Sequence, residues 1–248
     1  MSRAIIDADS YFYRAAITCN ELVEIQQDIY YECYNLNKAR EYLTKISEEL
    51  TEGCGCSDYV FVTSRGGKNF RYLINPSYKS NRKKTPKPLM LDKVREIAFK
   101  EFPVVYIPHL EADDTCRILL EEDMDNVIVS IDKDLRTFEG KHYDSYHNVL
   151  RYINKQQAEA NFKRQLLIGD KTDGYSGLPK VGPATADKMI LDGITIDEIA
   201  EKYVEVGLGL EGFETVYNCA KILGKEDYRD GIIKLYGGKE LDVRRIDD

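Results

Sequence analysis

The chain has no uninterrupted apolar run near the roughly 20 residues that a membrane span requires. No membrane helix is expected, and a membrane is excluded as a partner. The opening "MSRAIIDADSYFYR" lacks the long apolar stretch and small-residue cleavage site of a secretory signal, and it carries an aspartate six residues after Met1. A cytoplasmic location is the expectation. Cysteine is sparse and scattered, at Cys19, Cys33, Cys54, Cys56, Cys116 and Cys219. The one close pair, "GCGC", has no second pair or histidine partner at zinc-ligand spacing, so reduced thiols are expected rather than a zinc centre. Low-complexity segments and internal repeats are also missing.

What remains is an ordinary globular composition, 43% hydrophobic and 31% charged, over 248 residues. That length suits one large domain, or a core domain with a smaller appendage. The net charge of −8 argues against a nucleic-acid partner only as an average. Between Arg65 and Lys100 eleven lysines and arginines face two carboxylates, a local balance of +9, which leaves −17 elsewhere. A segregated block of this kind is either a solvated basic surface or a phosphate-binding one.

Short apolar runs at 3–7, 58–64, 102–108 and 125–132 read as buried strands of a parallel sheet. Helical spacing fills 38–51, 90–101 and 111–123 between them. Alternating strands and helices predict an α/β domain with helices on both faces of the sheet, spanning residues 1–153. From an Asn154 cap onward the pattern is helical only, including "DYRDGIIKLYG" near the end, so 154–248 is expected to be a helical appendage.

Functional groups of an open parallel sheet collect at the carboxyl ends of its strands. Here those ends are acidic: Asp7 closes the first strand, Asp132 and Asp134 follow "VIVS", and "EADD" supplies Glu111, Asp113 and Asp114. Asp170 and Asp173 repeat the i, i+3 spacing in the appendage. Helix caps and surface charges account for many aspartates of this kind. Convergence of all eight would be tenable mainly with divalent cations between them. Oxygen-only donors favour Mg²⁺ or Mn²⁺, two or more ions, and the chemistry natural to such a set is phosphoryl hydrolysis.

Five segments, taken in order, resemble the 5′-nuclease family of flap endonucleases and 5′–3′ exonucleases. They are "IIDADSYFYRA" (5–15), "GGKNFRYLINPSYKSNR" (66–82), "LEADDTC" (110–116), "VSIDKDL" (129–135) and "LIGDKTDGYSGLPKVGPATADKMI" (167–190). The resemblance implies a PIN-like α/β nuclease domain followed by a helical DNA-binding part with a helix–three-turn–helix. It implies the same eight carboxylates as the metal site. It also implies that Lys79 and Arg82 reach the scissile phosphate, where their charge stabilises developing negative oxygens. Arg71, Lys83 and Lys84 in the basic stretch, with Gly177, Lys180, Gly182, Thr185 and Lys188 in the turn and the helix after it, are the implied DNA contacts. A K⁺ ion bridging that turn and a phosphate is implied as well. Gly177 and Gly182 are expected to permit close approach or positive φ, with Pro183 as first helical residue. Tyr78 stands between base stacking and core packing.

One position departs from the pattern: Thr63 and Ser64 stand where relatives carry an aspartate, which implies altered metal affinity, with Asp9 as a neighbouring substitute. The expected function is a divalent-metal-dependent 5′-nuclease, monomeric, acting on DNA with 5′ ends, nicks or flaps. The alternatives are a DNA-structure binding protein with impaired catalysis and a member that cuts the RNA of RNA–DNA hybrids.

Overall fold

The computed structural model describes residues 2–64, 68–80 and 86–246. In chain order these form β1 (Arg3–Asp7), α1 (Asp9–Thr18), β2 (Asn20–Gln26), β3 (Ile29–Tyr34), α2 (Leu36–Gly53), β4 (Asp58–Val62) and α3 (Arg71–Ile74). There follow α4 (Leu91–Glu101), β5 (Val104–Val105), α5 (Ala112–Leu120), β6 (Val127–Ser130), β7 (Gly140–Asp144) and β8 (Val149–Ile153). The remainder comprises α6 (Lys155–Ile168), β9 (Gly169–Asp170), β10 (Tyr175–Ser176), α7 (Pro183–Leu191), α8 (Ile196–Glu205) and α9 (Gly209–Ala220). Three short strands end it: β11 (Tyr228–Arg229), β12 (Ile232–Lys234) and β13 (Glu240–Asp242).

The main sheet has the order β5-β4-β1-β6-β7-β8. Its first five strands run parallel and β8 is antiparallel at the edge. Side chains alternate across it with period two. Ala4 and Ile6 pack with Phe61 and Val129 under α1, α2 and α4, through Phe12, Leu43 and Val94. Ile5, on the opposite face, packs with Val62 and Ile128 under α5, through Cys116 and Leu120. Both faces are covered, so the strands read as continuous apolar runs.

Residue 154 marks a change of architecture. Asn154 caps α6 reciprocally with Gln157, its side chain accepting from the Gln157 amide at 2.9 Å while Gln157 accepts from the Asn154 amide at 3.0 Å. Packing nevertheless crosses this point. Tyr78 enters the cluster of Leu166, Tyr203 and Phe213, and Phe70 and Leu110 pack with Leu223, Ile233 and Val243.

Two expectations are corrected and one element is added. "DYRDGIIKLYG" is not a helix: β11 and β12 pair antiparallel around Asp230 and Gly231, both at positive φ, the backbone that a tight Asp-Gly hairpin demands. The strand expected over 102–108 pairs only at Val104 and Val105, on the sheet edge. The hairpin of β2 and β3, between α1 and α2, was not anticipated. Among the described residues no helix is long and apolar enough to cross a membrane.

Candidate active site

The carboxyl ends of β1 and β6 adjoin in the sheet, and a chain of hydrogen bonds continues outward from them. Ser130 donates its hydroxyl to Asp7 at 3.0 Å and accepts from the Asp132 amide at 3.0 Å. Asp132 in turn accepts from the Asp134 amide at 2.8 Å. The loop after β6 is thereby folded back so that Asp132 and Asp134 stand over the strand ends. From the next layer, α5 opens at Glu111 and brings Asp113 to the same place. The hairpin of β9 and β10 supplies the far wall: Asp170 accepts from the amides of Thr172 (2.6 Å) and Asp173 (3.2 Å), a turn that sets both aspartates toward the sheet.

These walls enclose a cleft of about 500 Å³ lined by Glu111, Asp113, Asp132, Asp134, Asp170 and Asp173, with Lys79 among them. Asp7 lies behind it, joined through Ser130. Burial and then the charge of Asp9 push the Asp7 carboxyl up to about 7. Burial, followed by Asp7 and Glu111, raises Asp113 well above its ordinary range. Burial and Asp132 bring Asp134 to about 6. Crowded like charges are the common cause after desolvation.

Lys79 is a cation set among these carboxylates. Its φ of 55° is left-handed, its amide donates to the Asp173 carbonyl at 2.8 Å, and its ammonium pairs with Glu111 and lies 3.8 Å from Asp173. Tyr78 is buried, and its hydroxyl is shared between Glu111 (2.9 Å) and Asp173 (3.0 Å). Core packing is therefore its place, with the polar tip in the site. Burial works to raise the Glu111 carboxyl, but Arg71 and Lys79 outweigh it and hold it below its ordinary value.

Two predicted residues, Arg71 and Asp114, are buried against each other. Arg71 is not a surface contact: it is 2% exposed beneath the cleft, bound to Asp114, which is fully buried. Arg82, Lys83 and Lys84 lie outside the described residues. Ser64 accepts from the Ala112 amide at 2.9 Å and so caps α5. Asp9 takes the Thr63 hydroxyl at 2.5 Å and the Ser64 amide at 3.1 Å, which carries a carboxylate to the end of β4 by another route.

The predicted duplex contacts of the turn and α7 are not among the residues that line the cleft. At Gly177 a Cβ would stand 2.4 Å from the Leu167 carbonyl, so close backbone approach requires glycine there. Gly182 needs neither: its φ is −99° and a Cβ would meet nothing within 4 Å. The positive φ falls on Lys180 instead. Gly182 is the cap of α7, Pro183 is its first residue, and Thr185 and Lys188 are exposed on it.

The donors fit a hard divalent cation. They are all oxygens, they repel one another, and Gln165, in the same cleft, buries an amide oxygen that has no hydrogen-bond partner among the described residues. Sequence reading missed Gln165, because its position on α6 resembles any polar helix position. Among the described residues no three carboxylates are already drawn to the spacing that encloses one ion.

The family described as 5′-3′ exonuclease, N-terminal resolvase-like domain, matches residues 2–165. The exodeoxyribonuclease of Enterobacteria phage T3 is 26% identical over 244 residues, covering 89% of this chain and 80% of that protein. The 5′-3′ exonuclease of Aquifex aeolicus is 27% identical over 213 residues, covering 76% and 68%. Among solved structures, a bacteriophage T5 D15 flap endonuclease complex with DNA and metal ions superposes with a TM-score of 0.67 over 90% of this chain and 89% of that one. At 15% identity that likeness speaks for the fold. With residues 2–165 of its 248 matched by the family, the chain belongs to the 5′-3′ exonucleases.

Proposed function

We propose that the chain is a divalent-metal-dependent 5′-nuclease that hydrolyses phosphodiesters at or near the 5′ end of DNA, as an exonuclease, a flap endonuclease or both. The observation that carries this is the single cleft in which six carboxylates from the sheet, α5 and the 170–173 turn face one another beside Lys79. Mg²⁺ or Mn²⁺ held there by Asp7, Glu111, Asp113, Asp132, Asp134, Asp170 and Asp173 would supply an activated water and charge neutralisation at the leaving oxygen. Lys79 holds its ammonium where a phosphate oxygen would accumulate charge, and Tyr78 keeps Glu111 and Asp173 oriented toward each other. The amides at the start of α7, with Thr185 and Lys188, suit a duplex phosphate, and K⁺ at the preceding turn fits the same role. DNA bearing 5′ ends, nicks or flaps is the substrate, with RNA–DNA hybrid as a further one, and the protein acts as a monomer.

Incubation of the purified protein with nicked, 5′-flapped and RNA–DNA hybrid duplexes, with and without Mg²⁺, tests this against an Asp132→Ala variant. Metal-dependent cleavage lost in the variant is expected. Cleavage that survives in EDTA or in Asp132→Ala would sink the proposal. Binding to branched DNA without turnover in either metal would instead favour the impaired alternative raised by Ser64.

A further inference from the structure

One of the eight carboxylates has no valence left for a metal. Asp114 Oδ1 accepts from Arg71 Nη2 at 2.8 Å and from the Leu223 amide at 2.9 Å. Its Oδ2 accepts from Arg71 Nη1 at 2.7 Å and from the Glu111 amide at 3.1 Å. A carboxylate offers about four lone-pair sites, and all four are taken in a fully buried position. Direct ligation would strip one of these donors where no water can replace it.

Arg71 is matched in the same way. Its five N–H groups go to Asp114 twice, to Glu111 Oε2 at 3.2 Å, to the Cys219 carbonyl at 3.0 Å and to the Lys221 carbonyl at 2.7 Å. Those carbonyls belong to the last turn of α9 and the segment just after it. α9 shares its apolar cluster with α6, whose end runs directly into Asp170. Arg71 therefore touches a cleft carboxylate with one nitrogen and the frame of the opposite wall with the others.

We infer that Asp114 and Arg71 are a positioning pair outside the metal set, which fixes Glu111 against the end of α9 and so sets the two acidic walls of the cleft across from each other. This rests on the reading of the cleft as a metal-dependent nuclease site. Lysine could not replace Arg71, since an ammonium has three donors and no planar fork.

The test compares Asp114→Asn, Asp113→Asn and Arg71→Lys by Mn²⁺ binding stoichiometry, by thermal midpoint in EDTA, and by kcat and KM on flapped DNA well below the midpoint. Asp114→Asn is expected to bind as many Mn²⁺ ions as the wild type, more weakly as outer-shell changes do, and to lose roughly 10 °C of midpoint in EDTA. Asp113→Asn is expected to do the reverse, losing an ion while its metal-free midpoint holds or rises. Arg71→Lys should lower kcat by roughly tenfold or more with KM for DNA little changed, which a purely structural contact would not produce. It keeps the test open if Asp114→Asn fails to fold. Loss of one ion in Asp114→Asn, or wild-type kcat in Arg71→Lys, overturns the pair's role alone. A wild-type protein that binds no Mn²⁺ overturns the reading of the cleft, and the pair's role with it.

Discussion

Tyr78 places one phenolic proton between two carboxylates from opposite walls of the cleft, at 2.9 and 3.0 Å. Tyr78→Phe keeps the ring in its edge-to-face contact with Tyr72 and removes only that proton. Glu111 keeps Lys79 and Arg71, so the fold should lose no more than about 2 kcal/mol. The facing of Glu111 and Asp173 relaxes, and kcat should fall roughly tenfold while KM for DNA moves little. Steady-state kinetics on a flapped duplex checks this, and an unaltered kcat would show the hydroxyl to be packing only. His142 offers a separate residue-level test. Burial chiefly pushes it down to about 4, from an ordinary 6.5, and its ring faces the Phe138 carbonyl at 3.2 Å. The unfolded chain takes up the proton first, so this contribution to stability is whole above pH 6.5, declines as pH falls and is exhausted near pH 4. Its full size is about 3 kcal/mol. Denaturant titrations in EDTA of wild type and His142→Gln should differ in slope only inside that window, and parallel curves from pH 7 to 4 would refute it.

At the scale of elements, two glycines five residues apart, both ahead of α7's first residue Pro183, do different work. Gly177 follows β10 and passes the end of α6, and its missing side chain makes room for the Leu167 carbonyl. Gly177→Ala should lower the thermal midpoint by about 5 °C, as overpacking against backbone does. Gly182→Ala meets open space, so its midpoint should stay within about 2 °C while its affinity for nicked duplex drops, because the new methyl stands at the capped end of α7 where a phosphate would approach. Thermal melts paired with fluorescence anisotropy separate the two, and equal melting losses would refute the distinction. The same contrast explains what could be read in advance. Strands flanked by helices were legible because both faces of the sheet are buried, and Asn154 and Pro183 announced their helices by their own capping chemistry. Asp7, Glu111, Asp113, Asp132 and Asp134 were legible because strand ends and helix starts lie close in the chain to them. Asp114 was not separable from Asp113, since its partner Arg71 is 43 residues away and the Leu223 amide 109 residues away. The hairpin of β2 and β3 was hidden because its apolar residues Leu22, Ile25 and Tyr31 are exposed and answer to no buried face.

For the whole molecule, the local balance of +9 between Arg65 and Lys100 overstates the charge available to a polyanion. Arg71 is buried against Asp114, Lys79 is paired with Glu111, and Arg95 lies 3.7 Å from Asp9. On the proposed reading, cations around α7 add to those of the basic stretch in holding a duplex. Lys180 and Lys188 are exposed, and Lys180 projects from a backbone at positive φ just ahead of the helix. Binding to nicked duplex, measured in Ca²⁺ to prevent turnover, should weaken steeply as salt rises from 50 to 200 mM, because each phosphate contact releases counterions. Replacing Lys180 and Lys188 together by Gln should reduce the slope of log K against log salt by about 2, with equal effect on duplexes of different sequence. Substituting Arg71 should leave that slope where it was, since a cation sealed in protein neutralises no phosphate. A slope unmoved by the double substitution, or lowered by the loss of Arg71, would place the DNA grip elsewhere on the molecule.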